Sequence, residues 1–383
     1  MSKSDFTAEE FLFRHRQVRS RMADCGLDCI IAFHPVSIHW LTGSDGKSYQ
    51  NFQCLVVLRD GPLIMLTREP ERYEFEQDAL CDRLETWGGV EPGDPLMAFA
   101  SLIERERLAG LRVGMEVPAY YLHPHAYVRV KELLGQAIVD EPCNIISGLR
   151  SVKSPAELAY VRSAARVADA GMTVFADQLS AGRTELDLCG QVYHALLASG
   201  SELPASTMNL VSGHRSVYSH GAPTRKPLLH GDIGHIEYGA ARCRYTATIG
   251  RQFSIGRATA RQRQIFDVVR RAGDAMIATI RDGVPASHPH RTARKIISEA
   301  GLGQYQIHTS GYGLAAGFPP SWGESISMFG ETEEPLRTGM VLTIEPPVFN
   351  GPEGIGVRLI DNVIVGATGA ELLSTFSRDL IEA

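Results

Sequence analysis

Four short clusters concentrate the groups able to move protons or hold charge. They are Ser219-His220-Gly221-Ala222-Pro223, His235-Ile236-Glu237-Tyr238-Gly239, His308-Thr309-Ser310-Gly311-Tyr312-Gly313 and Thr343-Ile344-Glu345-Pro346-Pro347. His220 and His308 carry imidazoles, whose ordinary pKa lies near working pH and suits general acid–base chemistry. Glu237 and Glu345 each close an apolar, strand-like run. A carboxylate there must be paired, hydrogen-bonded or functional, because an unpaired buried charge is expensive. Taken singly, each group has a plainer reading. The glutamates fit structural ion pairs with Arg242, Arg244, Arg251 or Arg358, the histidines fit ordinary hydrogen-bonded positions, and Gly311-Tyr312-Gly313 fits a turn.

The elements that must position these groups are legible from periodicity. In the N-terminal part, Cys29-Ile30-Ile31-Ala32-Phe33 reads as a buried strand after a charged helix. Cys54–Leu58 turns at Arg59-Asp60-Gly61-Pro62 into Leu63–Leu66, a hairpin. Near residue 150 the pattern changes. Ser154-Pro155-Ala156-Glu157 is a capping box with proline in the first turn, opening a long helix. Thr184 opens a second helix leading to Leu196, and further helices are expected over Ile265–Ile280 and Ala293–Ala300. Strands are expected over Ile233–Tyr238, Arg244–Phe253, Val341–Glu345 and Val357–Val365. The result is an α+β unit of long helices on a bent antiparallel sheet.

Bulk properties narrow the class. A chain of 383 residues exceeds one ordinary core, so two domains are expected. With 44% hydrophobic and 21% charged residues it reads as a soluble globular protein. A net charge of −6 leaves no basic footprint for nucleic acid. No apolar run approaches the ~20 residues of a membrane span, and the first residues lack the apolar region of a signal peptide, so a cytoplasmic location is expected. Seven scattered cysteines without a CxxC pair read as reduced thiols.

Order and spacing add a resemblance. Lys153-Ser154-Pro155-Ala156-Glu157-Leu158, His220 seventeen residues before Glu237, His308-x-x-Gly-Tyr312-Gly, Gly339-Met340-Val341-Leu342-Thr343-Ile344-Glu345-Pro346 and Gly356-Val357-Arg358-Leu359-Ile360-Asp361 occur in sequence. Together they resemble the catalytic domain of the creatinase/prolidase superfamily. The resemblance implies a pita-bread catalytic domain over residues 148–383, preceded by a creatinase-type N-terminal α/β domain over 1–147. It also implies a five-ligand site for two divalent metals, at positions occupied here by Glu237, Thr248, Tyr312, Glu345 and Ile360. Only two are carboxylates, and hard cations need several oxygen or imidazole donors converging at short distance. No dinuclear metal centre and no cofactor are therefore expected.

The closest likeness is to metal-free creatinase-like and ectoine hydrolase-like members. His220 aligns with the general acid–base histidine of creatinase, but Gly250 stands where creatinase has a glutamate, and Asn51 falls near the arginine that grips the creatine carboxylate. The segment from Gly317 to Glu324 resembles ectoine hydrolases, as does, approximately, the stretch from Glu237 to Tyr245; the match is incomplete at Glu345. The implied function is metal-independent hydrolysis of a C–N bond in a small, cyclic or zwitterionic amidine or amide. His220, Glu237, His308 and Glu345 are the expected catalytic residues, and Tyr312, Trp322, Phe318, Arg358 and Tyr245 the expected substrate contacts. Trp322 and Phe318 suit cation–π contact, and Arg358 suits a carboxylate. A packing tryptophan and an ion pair of Arg358 with Glu345 are the plainer readings. The resemblance implies a homodimer in which Trp40, Tyr49 or Asn51 reaches the partner's substrate. Two alternatives stand beside this one: a metal-dependent Xaa-Pro dipeptidase or aminopeptidase, and a non-catalytic binding protein on the same fold.

Overall fold

The computed structural model describes residues 5–383; residues 1–4, part of the stretch read for a signal sequence, lie outside the described residues. The chain divides into two compact units, Met1–Arg150 and Ser151–Ala383.

The first unit is a six-stranded sheet in the order Arg83–Trp87, Leu63–Arg68, Cys54–Leu58, Cys29–Ala32, Val113–Met115, Ile138–Asp140. The Cys54–Leu58 and Leu63–Arg68 strands pair antiparallel as the expected hairpin, while the outer pairings are parallel. Cys29–Ala32 is buried on both faces, which is why it reads as an unbroken apolar run. Cys29 and Ile31 join one core with Phe99 and Leu102, and Ile30 and Ala32 join the other with Val18 and Met22.

The second unit is built on a nine-stranded sheet. Its path runs Ala370–Leu372, Asp361–Val365, Val341–Ile344, Tyr312–Phe318, Tyr245–Ser254, Ile233–Arg242, Asn209–Ser212; Ser321–Ser327 and Ile381–Glu382 pair off this path. Helix Pro155–Gln178 starts at the expected Ser154/Glu157 capping box. With Glu185–Ala198 it buries Phe175, Leu188 and Val192 against Ile236 and Tyr238. A second capping box, Thr259 with Gln262, starts the Ala260–Thr279 helix earlier than its apolar periodicity suggests. This helix and Ser287–Glu299 pack Val269 and Ile297 in the core that holds Leu342 and Val363.

Two details position the site. Strands Ile233–Arg242 and Tyr245–Ser254 are joined through Cys243 and Arg244, both in the left-handed region, φ 49° and 66°. That is the turn form whose twist suits a two-residue hairpin. The segment expected as one strand, Val357–Val365, is broken: Ile355–Val357 and Asp361–Val365 belong to different sheets, and Arg358-Leu359-Ile360 lie between them.

Candidate active site

Sheet register places the first group of residues. Asn209 lies opposite Glu237, Glu237 opposite Gly250, and Gly250 bridges to Ile360. Directly opposed residues share a face, so this is one transverse row. Asn209 Nδ2 donates to Glu237 at 2.9 Å. Glu345 follows the Val341–Ile344 strand, its N–H donating to the Ser310 carbonyl at 2.8 Å.

The chain break brings Arg358 between the two glutamates. Its guanidinium reaches Glu237 at 2.7 Å and Glu345 at 2.6 Å, and donates to the Ser219 carbonyl at 2.7 Å. All three charged side chains are buried. A buried charge persists only when paired and hydrogen-bonded, and the arginine fork supplies both. Burial pushes the Glu345 carboxyl up to about 7, with Arg358 opposing and Glu237 adding to the rise. Against its own desolvation, Arg358 is held above its ordinary value by Glu237 and then Glu345.

A cavity of about 290 Å³ opens beside this pair, lined in part by Asn209, His220, Glu237, Tyr312, Trp322 and Glu324. His220 stands solvent-exposed at it, with the His308 ring centroid 5.3 Å away at a 58° tilt. Desolvation and the nearby Arg358 charge lower the His220 pKa, with Glu237 opposing; desolvation followed by Arg358 also lowers that of His308. Both rings are thus neutral at pH 7 and able to accept a proton. His308 Nδ1 donates to the Thr309 carbonyl at 3.1 Å, which leaves Nε2 as the accepting nitrogen. The Trp322 indole N–H donates to the Tyr312 hydroxyl at 3.0 Å. Burial, then Glu345 and Glu237, raise the Tyr312 pKa, so its phenol keeps a proton to donate.

The structure therefore gathers His220, Glu237, His308, Glu345, Tyr312, Trp322 and Arg358 in one region. It does not bring Phe318 or Tyr245 to the cavity. Phe318 is buried with the Arg244 guanidinium 4.6 Å from its ring centroid, so its π-face is already used. The Tyr245 hydroxyl donates to Glu157 at 2.7 Å, and its ring stacks on Tyr160. Arg358, expected to grip a substrate carboxylate, is instead held by Glu237 and Glu345. Sequence reasoning missed Asn209, which lies on a four-residue strand without a signature, and Glu324 as a site group, although the Gly317–Glu324 segment carried it.

The five positions implied for a dinuclear metal centre do not fit one. The Thr248 hydroxyl accepts from Asn362 Nδ2 at 2.8 Å. Ile360 presents hydrocarbon over Gly250, and Tyr312 is a protonated phenol. The two remaining carboxylates already share the positive charge of Arg358. Among the described residues, no three His, Cys, Asp or Glu side chains come together to hold a metal ion.

This fold and site define a hydrolase-type chain of the creatinase/prolidase superfamily. The chain belongs to metallopeptidase family M24, whose model matches residues 159–367, and the Creatinase/Prolidase N-terminal domain model matches residues 14–152. The Xaa-Pro dipeptidase of Pyrococcus furiosus is 32% identical over 238 residues, 62% of this chain and 67% of that protein. The ectoine hydrolase of Halomonas elongata is 25% identical over 404 aligned positions, 98% of both chains. A prolidase structure from Thermococcus sibiricus matches with a TM-score of 0.87 at 22% identity, covering 99% of this chain and 100% of that one. An X-Pro aminopeptidase structure from Thermotoga maritima matches with a TM-score of 0.78 at 20% identity, covering 95% and 100%. The structural likeness establishes the pita-bread catalytic fold with its creatinase-type N-terminal domain.

Proposed function

We propose that this chain hydrolyses a C–N bond in a small polar amide or amidine bound in the cavity beside Glu237, with side chains rather than a dinuclear metal centre moving the protons. The observation that carries the reading is Arg358, whose guanidinium fills the space between Glu237 and Glu345 while Thr248, Tyr312 and Ile360 stand at the other implied ligand positions.

In this reading the neutral His220 imidazole takes a proton from water as its oxygen bonds to the substrate carbon. The C–N bond then breaks, and His220 returns that proton to the departing nitrogen. The Tyr312 phenol donates a hydrogen bond to the oxygen or nitrogen on which negative charge develops. Glu237, fixed by Asn209 and Arg358, orients the water or the substrate N–H. His308 offers Nε2 beside His220 as a second proton acceptor. A homodimer in the cytoplasm completes the reading, supported by the family resemblance and by seven cysteines that are all free thiols.

Kinship favours a second reading. Two relatives at 30–32% identity are named Xaa-Pro dipeptidases, whereas the ectoine hydrolase is at 25%. The dipeptidase reading is thus the better supported by identity, and the metal-free reading by the donor set. The test is a mass-spectrometric screen of cyclic amidines, small zwitterionic amides and Xaa-Pro dipeptides, with excess chelator and separately with manganese or cobalt. Turnover of an amidine or amide in chelator supports the first reading. Proline dipeptide cleavage that depends on added metal overturns it in favour of the second.

A further inference from the structure

His220 is carried by the segment between Ser212, the last residue of strand Asn209–Ser212, and Thr224. The two carbonyls that flank it are fixed. Ser219 accepts from Arg358 at 2.7 Å, and Gly221 accepts from the Leu210 N–H at 3.1 Å. The loop lies hard against its own strand there, since a Cβ at Gly221 would clash with the Val211 side chain. What closes the base of the loop lies outside the four clusters that carry the chemistry.

Glu185 is the first residue of helix Glu185–Ala198, and its side chain is fully buried. One carboxylate oxygen accepts from Ser212 Oγ at 2.8 Å. The other accepts from the Thr224 N–H at 2.9 Å, from the Thr224 hydroxyl at 2.8 Å and from the Arg215 guanidinium. The donors thus come from both ends of the loop and from inside it. Arg215 extends the closure by donating to the Ala222 carbonyl at 2.6 Å, two residues from His220. The helix has other means of starting and of staying in place. Thr184 caps it by accepting from the Asp187 N–H at 3.2 Å, and Leu188 and Val192 bind it to the core. A charge sealed from water is costly unless paired and hydrogen-bonded, and the pairing here fixes one loop geometry.

We propose that Glu185 is a positioning residue for His220: by tying Ser212, Arg215 and Thr224 to one buried carboxylate, it sets where the His220 imidazole stands in the cavity. The proposal rests on His220 being the proton-transfer group of the hydrolase reading. A base displaced by about 1 Å forfeits up to about a hundredfold in rate, because proton transfer needs hydrogen-bond reach.

The test follows the His220 ring by proton–nitrogen NMR titration of the full chain, its signal assigned by its absence in H220A. The ring faces Arg358, Glu237 and His308; desolvation and then Arg358 hold its pKa below 6.5, with Glu237 opposing. In E185Q the ring is expected to leave that setting and its pKa to rise toward 6.5. Loss of the Glu185 charge without movement acts the other way and lowers the pKa, so the sign separates the two. On a substrate found by screening, kcat is expected to fall about tenfold or more, with KM changed less than about threefold. T224V removes one hydroxyl from the closure, keeps the ion pair, and is expected to shift His220 in the same direction by less. It decides the matter if E185Q fails to fold by circular dichroism. T259A weakens the cap of the Ala260–Thr279 helix and controls for general destabilisation; it is expected to leave the His220 titration in place. A His220 pKa unchanged or lowered in folded E185Q, or in T224V where E185Q does not fold, overturns the proposal, as does a rise matched by T259A. Failure of the hydrolase reading shows differently, as a Glu185-dependent His220 titration without turnover of any compound in the screen.

Discussion

The Arg358 guanidinium lies 2.6 Å from a Glu345 carboxylate oxygen, and both side chains are sealed from solvent. Arg358 also holds Glu237, so one resident cation joins a carboxylate inside the Ile233–Arg242 strand to one that follows the Val341–Ile344 strand, far apart in sequence. Removing it leaves Glu237 and Glu345 buried without their shared cation. R358M is expected to lose about 3–5 kcal/mol of stability, the usual cost of breaking a buried ion pair from one side. Denaturant unfolding measures it. A loss below about 1 kcal/mol would mean the pair is not closed as described.

His220 stands exposed at the cavity, so its removal should be cheap for the fold and costly for chemistry. H220A is expected to unfold within about 0.5 kcal/mol of wild type. It is expected to lower kcat/KM on the substrate found by screening about a hundred- to ten-thousand-fold. Retained turnover would remove His220 from the mechanism.

The pH dependence follows from two shifts. Lowering the His220 pKa keeps the base available down to acidic pH, so kcat/KM should rise through an acid limb with a midpoint below 6.5. The Glu345 pKa is raised in the folded state to about 7 from an ordinary 4.5. Its contribution to stability is therefore fully present below pH 4.5 and is lost as pH rises through about 7. The stability of the wild type relative to E345Q should fall across that window and be flat above it. Unfolding curves between pH 4 and 8 measure this, and a difference that grows with pH would reverse the sign.

Ile360 packs over Gly250, and a Cβ at Gly250 would lie 2.7 Å from an Ile360 side-chain atom. G250A is expected to cost about 1–3 kcal/mol through overpacking. I360V should relieve part of that cost in the double variant, giving a coupling of about 0.5–3 kcal/mol. Additive losses would mean the two side chains do not compete for space.

Much of this arrangement is readable before any coordinates. The capping box at Ser154 and the apolar runs ending at Glu237 and Glu345 depend on local chemistry, and the structure has them where local chemistry puts them. Glu237 is inside its strand rather than at the end, because the hairpin through Cys243 and Arg244 continues the pairing for five more residues. The break at Arg358-Leu359-Ile360 was not legible: Gly356 to Val365 keeps an apolar, strand-like composition, and only pairing with Gly250 shows where the chain turns aside. Phe318 and Tyr245 were misjudged for a similar reason. Their types suit ligand contact, but Arg244 and Glu157, partners set by tertiary packing, engage them first.

The central claim is that the Glu237–Arg358–Glu345 constellation takes the place of a dinuclear metal centre. The most direct measurement is metal content: elemental analysis of the purified chain, before and after equilibration with manganese, cobalt or zinc followed by exhaustive dialysis. Well under one retained ion per chain in every case is the expected result. Retention of two ions per chain, abolished by the E237Q/E345Q double variant, would contradict it.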